Sequence, residues 1–244
     1  MVKSVTIDTN FTMYSDTPDT KDPDTYSRTL RDYHLFLWSK QLPNGKLLTL
    51  TANQTAPYYL QYCSDSDDSW FSSDGILHTY SRWTQDPMAA IVKSLPKAEI
   101  DTFYDLASTI GGYIIFPANQ IDRKPTINQI RGTHPKIRDR FDFTLECIRR
   151  WYSDIESPLS SHLDRYSSYF QLFENFQGYL RFFLLDDLVD ADSGNIRFWL
   201  PFLDFGKTDP LPANVAEYRE YMKNVSAFAR ARNFRMAEWV KLSK

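Results

Sequence analysis

The chain contains one stretch whose residue types are suited to holding and processing an anion. Residues 117–152 bring together amides, hydroxyls, a histidine and many cations, and residues 123–150 carry eight Lys or Arg against three Asp or Glu. Guanidinium groups bind phosphate and carboxylate bidentately, so arginines in such a stretch are the natural anion ligands. We expect the anion to be held by three of them, Arg131, Arg138 and Arg140.

Four further side chains are candidates for the same site. Asn119 and Asn128 are placed to orient the ligand, and His134 is the nearby group that exchanges protons near neutral pH, so it is the predicted general acid or base. His78, in a polar and aromatic segment, could form a second wall of the site. The alternative for His78 is a hydrogen-bonded histidine on a half-buried strand.

A structural role for the same cations is the competing interpretation. A run of charges most often forms an ion-pair network, and carboxylates are available along the chain for that purpose. The potential partners of the arginines are Asp139, Asp142, Glu146 and Asp164.

Other common chemistries lack their residue patterns. No two of the eight glycines are two or five positions apart, which excludes the dinucleotide-binding fingerprint and the Walker phosphate loop. Cys63 and Cys147 have no Cys or His at metal-ligand spacing, so we predict neither a zinc site nor a disulfide framework. The sequence therefore predicts no metal site and identifies no cofactor.

The elements that would position these residues predict an α+β fold, with a small antiparallel sheet in the N-terminal half and a mainly helical C-terminal half. Strands are predicted at residues 4–8, 46–51, 58–63, 69–72, 113–116 and 195–200. Helices are predicted at residues 27–42, 88–95, 99–110, 135–152, 161–173, 176–189 and 215–232. His34 lies on the apolar side of the first helix, where a hydrogen-bonded core histidine is the expected role.

Composition indicates one well-packed domain spanning residues 1–244. Of the 244 residues 42% are hydrophobic, and 6 Trp, 15 Tyr and 17 Phe supply ample core volume. The longest apolar runs are far shorter than the roughly 20 residues needed to cross a bilayer, so we expect no membrane association. Without an export signal, a cytoplasmic location is expected.

Several stretches resemble a family of uncharacterised bacterial proteins of about this length. The matching stretches are residues 15–18, 21–45, 110–132, 136–152, 157–159 and 176–189. The resemblance covers nearly the whole chain, implies a single domain in a bacterial cytoplasmic protein, and carries over no catalytic residue. It also suggests that the N-terminal segment rich in Asp, Tyr and His and the later segment rich in Asn and Arg belong to the same functional unit.

Two functions are therefore expected from different classes. The first is binding of a phosphate-bearing ligand, a nucleotide or RNA, with hydrolytic or transfer chemistry at the Asn/Arg/His site. The second is a non-enzymatic protein–protein interaction module, for example in a bacterial toxin/immunity or phage-defence pair, using exposed aromatics and the acidic N-terminal loop. The partner would be an anionic small molecule or RNA in the first case and a protein in the second.

Overall fold

A computed structural model describes residues 6–56, 59–63, 68–81 and 88–242 of the chain. Its sheet has four strands in the order β1-β2-β3-β4, all antiparallel. The strands are β1 (Leu50–Ala52), β2 (Leu60–Cys63), β3 (Asp68–Gly75) and β4 (Tyr113–Pro117). All five residues of β4 are buried, as expected for an apolar run that packs on both faces.

Helices surround this sheet and make up most of the C-terminal half. The first four are α1 (Pro23–Tyr26), α2 (Arg28–Trp38), α3 (Met88–Lys93) and α4 (Lys97–Ala107). The next three, α5 (Ile127–Thr133), α6 (Phe141–Trp151) and α7 (Ser160–Leu163), follow β4. The last three are α8 (Ser167–Gln171), α9 (Phe176–Phe183) and α10 (Val215–Leu242).

Local sequence explains where α2 begins and which face it buries. The Ser27 hydroxyl accepts the backbone N–H of Leu30 at 3.0 Å, so the helix starts at a capped residue. Its apolar side chains recur every three or four positions and point into the core. The buried residues of α2 are Leu30, Tyr33, His34, Leu37 and Trp38.

The long helix α10 is fastened to the beginning of β4 by two buried polar side chains. Arg232 donates to the carbonyl oxygens of Gly111 and Tyr113, each at 2.8 Å, and also to that of Phe183. Asn233 accepts the N–H of Gly111 at 2.8 Å. A side chain at position 111 would collide with Asn233 and the backbone of α10, so this close approach requires glycine.

The α+β fold is confirmed, including its early antiparallel sheet and its helical second half. The predicted strand at residues 195–200 is wrong, because only an isolated bridge between Val189 and Ile196 forms there. The helix predicted at residues 135–152 begins only at Phe141, after a turn in which Arg138 and Asp139 have positive φ. The strand predicted at residues 4–8 falls partly outside the described residues, and Thr6 to Asp8 form no strand.

Two further sequence expectations concern the whole fold. Among the described residues, no helix combines the length and the apolar composition needed to cross a bilayer. His34 is a hydrogen-bonded core histidine, as predicted, because it is buried and both ring nitrogens have partners.

Candidate functional site

A cleft of about 270 Å³ opens where α1, the end of β3 and the turn before α6 meet. We call it the acidic cleft, and define it by four carboxyl groups and one imidazole in its lining: Asp22, Asp24, Asp74, Asp139 and His78. Tyr14 and Tyr104 stand at its wall with ring centroids 4.9 Å apart. No Lys or Arg belongs to the lining within the described part of the chain.

A single guanidinium lies behind the carboxyl groups. Arg131 is 1% exposed, and its Nη1 lies 2.8 Å from Asp74 Oδ2 and 3.3 Å from Asp139 Oδ1. The capping box of α5, in which Thr126 and Gln129 hydrogen-bond reciprocally, fixes the helix that carries Arg131. Among the described residues, the lining therefore holds four carboxyl groups and no Lys or Arg, with Arg131 behind two of these carboxyl groups.

Burial, and after it the neighbouring carboxylates, raise the proton affinity of Asp24 and Asp74. Burial and the neighbouring Asp22 raise the pKa of Asp24 to about 7, although hydrogen bonding by Ser73 and Gly75 opposes the shift. Burial also raises the pKa of Asp74, and the attraction of Arg131 opposes this. Because a group with a pKa near 7 exchanges its proton most readily at neutral pH, Asp24 is suited to acid–base chemistry.

Asp24 also has unused hydrogen-bonding capacity. Its Oδ1 is buried and accepts no hydrogen bond. A buried carboxylate oxygen without a partner is costly, and such atoms in native proteins call for an explanation. A protonated Asp24 or a donor from a bound ligand would remove the cost.

His78 adds a neutral imidazole to the same cleft. Its Nδ1 accepts the backbone N–H of Tyr80 at 3.0 Å, so the ring proton belongs on Nε2. Nε2 lies 3.6 Å from Asp139 Oδ2. Burial lowers the pKa of His78, and the neighbouring Asp139 opposes this shift.

The acidic cleft is connected to the core by a chain of polar side chains. The indole N–H of Trp38 donates to His34 Nδ1 at 2.8 Å, which leaves the proton of His34 on Nε2, 2.9 Å from Ser73 Oγ. Ser73 also acts on Asp24 and lowers its pKa. His34 of α2 and Ser73 of β3 thus link the core to the Asp24 carboxyl group.

Three of the predicted site residues lie at this cleft: His78 is in its lining, and Arg131 and Asn128 contact Asp74 from behind. Besides His78 and Arg131, Asn128 is there, with its amide nitrogen 2.7 and 2.9 Å from the two carboxylate oxygens of Asp74 when the amide is oriented to donate. Asn128 therefore orients an internal carboxylate, and Arg131 has a carboxylate within hydrogen-bonding distance without any ligand.

The other four predicted residues lie elsewhere. Arg140 is fully buried in a bidentate pair with Asp142, at 2.8 and 2.6 Å, and also donates to Pro210 O. Asn119, which follows β4, accepts the backbone N–H of Trp70 in β3 through its Oδ1 at 2.8 Å, and so continues the hydrogen bonding between these two strands. His134 ends α5, and Arg138 is half-buried in the following turn.

Sequence reasoning missed the carboxyl groups that dominate the cleft. Asp22 and Asp24 belong to the acidic N-terminal loop that was expected to bind a partner, and Asp139 was expected in an ion network, whereas Asp74 follows the predicted strand at residues 69–72 with no distinguishing pattern. The one available signal was the family resemblance, which linked the N-terminal segment to the Asn/Arg segment. The two segments do meet, because Asp24 and Asp139 line the same cleft.

Comparison with known proteins places the chain in a family. Residues 7–236 match a family of unknown function. The chain belongs to the family DUF6994. Within this DUF6994 chain, the match includes every residue of the acidic cleft. No curated protein and no solved structure matches the chain.

Metal ligation by this DUF6994 chain has no matching arrangement of side chains: among the residues that the structure describes, no group of three or more His, Cys, Asp or Glu is arranged to hold a metal ion. The carboxylates of the acidic cleft are hydrogen-bond acceptors and negative charges.

Proposed function

We propose that the acidic cleft binds a small amine-bearing ligand, and that Asp24 exchanges a proton with it. The observation that carries the proposal is that four carboxyl groups line the cleft and that, among the described residues, no Lys or Arg does. An ammonium group supplies the missing positive charge and up to three donors, one of which would satisfy Asp24 Oδ1.

The wall of the cleft fits the same ligand class. The faces of tyrosine rings attract cations, and Tyr14 and Tyr104 both line the cleft. The cleft volume of about 270 Å³ admits a small molecule rather than a polymer. Asp24, with its pKa raised to about 7, would accept a proton from the ammonium group and make the amine nucleophilic.

A panel of small amines and amino sugars, each paired with its uncharged hydroxyl analogue, tests the proposal by thermal shift. A ligand at 100 times its dissociation constant adds about 2.7 kcal/mol to the unfolding free energy, which gives a clear shift. We expect shifts with amines only, and at least tenfold weaker binding in Asp24→Asn. Asp32→Asn is the matched control, because Asp32 is half exposed on α2 outside the cleft.

Two results would contradict the proposal. Equal shifts from amines and their hydroxyl analogues would show that charge is not recognised. Unchanged amine affinity in Asp24→Asn, with loss in Asp32→Asn, would place the binding elsewhere.

The phosphate-bearing ligand predicted from the sequence is a second candidate, at a different surface. Lys124, Arg165 and His134 each act electrostatically on His162 and lower its pKa, after the larger effect of burial. Burial and, after it, Lys136 lower the pKa of His134. In this cluster Lys124 and Lys136 are exposed, and His134 and His162 are half-buried.

The same panel, extended to phosphate, nucleotides and short RNA, tests this second candidate. We expect an anion at the cluster to shift the melting temperature in wild type but not in His134→Ala. Arg131→Ala distinguishes the two sites, because Arg131 lies behind the acidic cleft and its replacement alters that cleft and not the cation cluster. Shifts from anions that survive His134→Ala would reject the second candidate.

The protein–protein alternative and the biological setting are further proposals. Leu203 and Phe234 are 80% and 67% exposed, and would contribute apolar area to an interface with a toxin, immunity or phage-defence partner. A bacterial origin and a cytoplasmic location belong with this proposal. A pull-down with wild type and with Phe234→Ser would support it if one protein is lost from the variant.

A further inference from the structure

Tyr113, the first residue of β4, lines the acidic cleft with a hydroxyl group that the protein itself does not use. Tyr113 is 5% exposed, and no described residue hydrogen-bonds its hydroxyl group. Other buried tyrosines differ, because Tyr169 donates to the carbonyl oxygen of Ile115 at 3.2 Å and Tyr221 to that of His78 at 2.7 Å. Since buried polar groups are nearly always hydrogen-bonded, the Tyr113 hydroxyl group is available to a ligand in the cleft.

The sheet register places Tyr113 and Asp24 on one face of the sheet. Tyr113 pairs with Gly75 at the end of β3, and cross-strand partners face the same side of a sheet. Ser73, two positions before Gly75, faces that side too. Asp24 lies on this side, because α1 packs against β3 and because Asp24 and Ser73 line one small cavity. Asp24 and Tyr113 therefore line the acidic cleft from the same face.

Gly75 keeps space open next to the Tyr113 ring. A Cβ atom at position 75 would lie 3.8 Å from Tyr113 Cε1, which is an ordinary contact distance. Any larger side chain at this position would therefore lie against the ring. Because Gly75 is itself part of the lining, the missing side chain leaves room for a ligand beside the tyrosine.

The Tyr113 hydroxyl group is a donor in a cleft that is rich in acceptors. Burial raises the pKa of Tyr113 well above its ordinary value, and the negative charge of Asp24 adds to the shift. The phenol therefore keeps its proton at neutral pH. The partner that this donor lacks is an oxygen atom of a ligand.

The surrounding charges determine which kind of ligand oxygen fits. A carboxylate would be repelled, because four carboxyl groups line the cleft and no Lys or Arg of the described chain does. An ether or carbonyl oxygen accepts from Tyr113 but offers no donor to the carboxylates. A hydroxyl group accepts from Tyr113 and donates to a carboxylate, so it satisfies both kinds of neighbour.

We propose that Tyr113 selects for an amino alcohol, donating to the ligand hydroxyl group while Asp24 holds the ammonium group. This inference rests on the amine binding proposed above and names the class of amine. It excludes α-amino acids, whose carboxylate the cleft repels. Tyr113 determines specificity by contacting the ligand and exchanges no proton with it.

Four small ligands test the proposal by calorimetric titration of the wild-type protein: ethanolamine, ethylamine, 2-methoxyethylamine and glycine. We expect ethanolamine to bind about three- to tenfold more tightly than ethylamine, the range for one neutral hydrogen bond. The oxygen of 2-methoxyethylamine only accepts, so this ligand should bind less tightly than ethanolamine. Glycine should bind most weakly because of its carboxylate.

Tyr113→Phe tests the residue itself, because this variant loses the hydroxyl group and keeps the ring. Ethanolamine and ethylamine should then bind equally, and the affinity for ethylamine should stay at its wild-type value, which also shows that the variant is folded. Tyr26→Phe is the matched control, because Tyr26 is 47% exposed on α1 and lies outside the lining. It should keep the full preference for ethanolamine.

Two results overturn this inference and leave the proposed amine binding in place. One is equal affinity of the wild-type protein for ethanolamine and ethylamine, which requires no variant. The other is a preference for ethanolamine that survives in Tyr113→Phe. In both cases ethylamine still binds the wild-type protein and binds Asp24→Asn at least tenfold more weakly.

Failure of the proposed function gives a different pattern. Either no amine binds the wild-type protein, or Asp24→Asn binds every amine as tightly as wild type does. The selection of an amino alcohol by Tyr113 is then overturned together with the amine binding on which it rests.

Discussion

The acidic cleft and the surroundings of Lys40 each hold charge of one sign that is not matched among the residues that the structure describes. In the cleft, Asp74 is buried and Asp24 is half-buried beside more carboxyl groups than cations, and burial raises the pKa of Asp24 to about 7. Near Lys40, which lies against the rings of Trp38, Phe182 and Trp239, the buried Arg232 donates to carbonyl oxygens, and burial lowers the pKa of Lys40 to about 7. The pKa of the acid Asp24 therefore rises toward 7, and the pKa of the base Lys40 falls toward 7.

A third buried group shows what happens when the charges are matched. Arg140 and Asp142 form a bidentate pair with both side chains fully buried, and burial is outweighed by Asp142 in raising the pKa of Arg140. Asp142 holds the pKa of Arg140 above its ordinary value, so this guanidinium keeps its charge near pH 7. The comparison indicates that unmatched burial, and not burial itself, identifies the groups available for chemistry.

The largest predicted effect comes from breaking the matched pair. Arg140→Met leaves Asp142 buried without its cation, and removing one partner of such a pair costs about 3–5 kcal/mol. Chemical denaturation at pH 7 measures the loss. In Arg140→Met/Asp142→Leu we expect much of the stability to return, because no charge is then left uncompensated; equal losses in the single and double variants would contradict this account.

The same comparison explains which features of the fold and of the site can be predicted from the sequence. The strands, most helices and the core role of His34 follow from apolar periodicity and capping residues, which are local signals. The chemistry of Arg131, Arg140 and Asp24 depends on which charges lie nearby in space, and those partners are set by tertiary contacts. Asp74 and Arg131 are 57 positions apart in the sequence, so no local pattern predicts that they form a pair.

The helix start at Phe141 illustrates a second limit. The apolar spacing of residues 135–152 predicts one helix, yet Arg131 requires Asp139 beside it, and the turn with positive φ at Arg138 and Asp139 supplies that contact. A tertiary ion pair has overridden a local preference here. The late strand at residues 195–200 failed for a related reason, because the segment instead offers the N–H of Trp199 to Asp142 at 2.9 Å.

A smaller effect is predicted for the link between α2 and the acidic cleft. Ser73→Ala removes the acceptor of the buried His34 Nε2–H, and an unsatisfied buried donor costs about 1–3 kcal/mol. It also removes a hydrogen bond that lowers the pKa of Asp24, so that pKa should rise further. Carboxyl-carbon NMR titration measures the shift, with Ser94→Ala on the far side of α3 as control. A pKa unchanged in Ser73→Ala would mean that Ser73 does not reach Asp24.

The smallest effect is a change in the pH dependence of stability. The pKa of Asp24 is raised from 3.8 to about 7 by folding, so its contribution to stability is present below pH 3.8 and is lost as the pH rises to about 7. His34 acts in the opposite direction, because its pKa is lowered to about 3 by burial and its contribution is lost as the pH falls from 6.5. Between pH 4 and 6.5 the two contributions partly cancel in the wild type.

Asp24→Asn removes only the first of these contributions. We expect the variant to be more stable than wild type at pH 8, and its stability to fall more steeply than that of wild type as the pH decreases from 6.5 to 4, since the effect of His34 is then unopposed. Thermal denaturation across this range measures both slopes, with Asp32→Asn as the exposed control. Parallel profiles for Asp24→Asn and wild type would show that folding does not raise the pKa of Asp24, and the cleft would then lack the group proposed to exchange a proton with the amine.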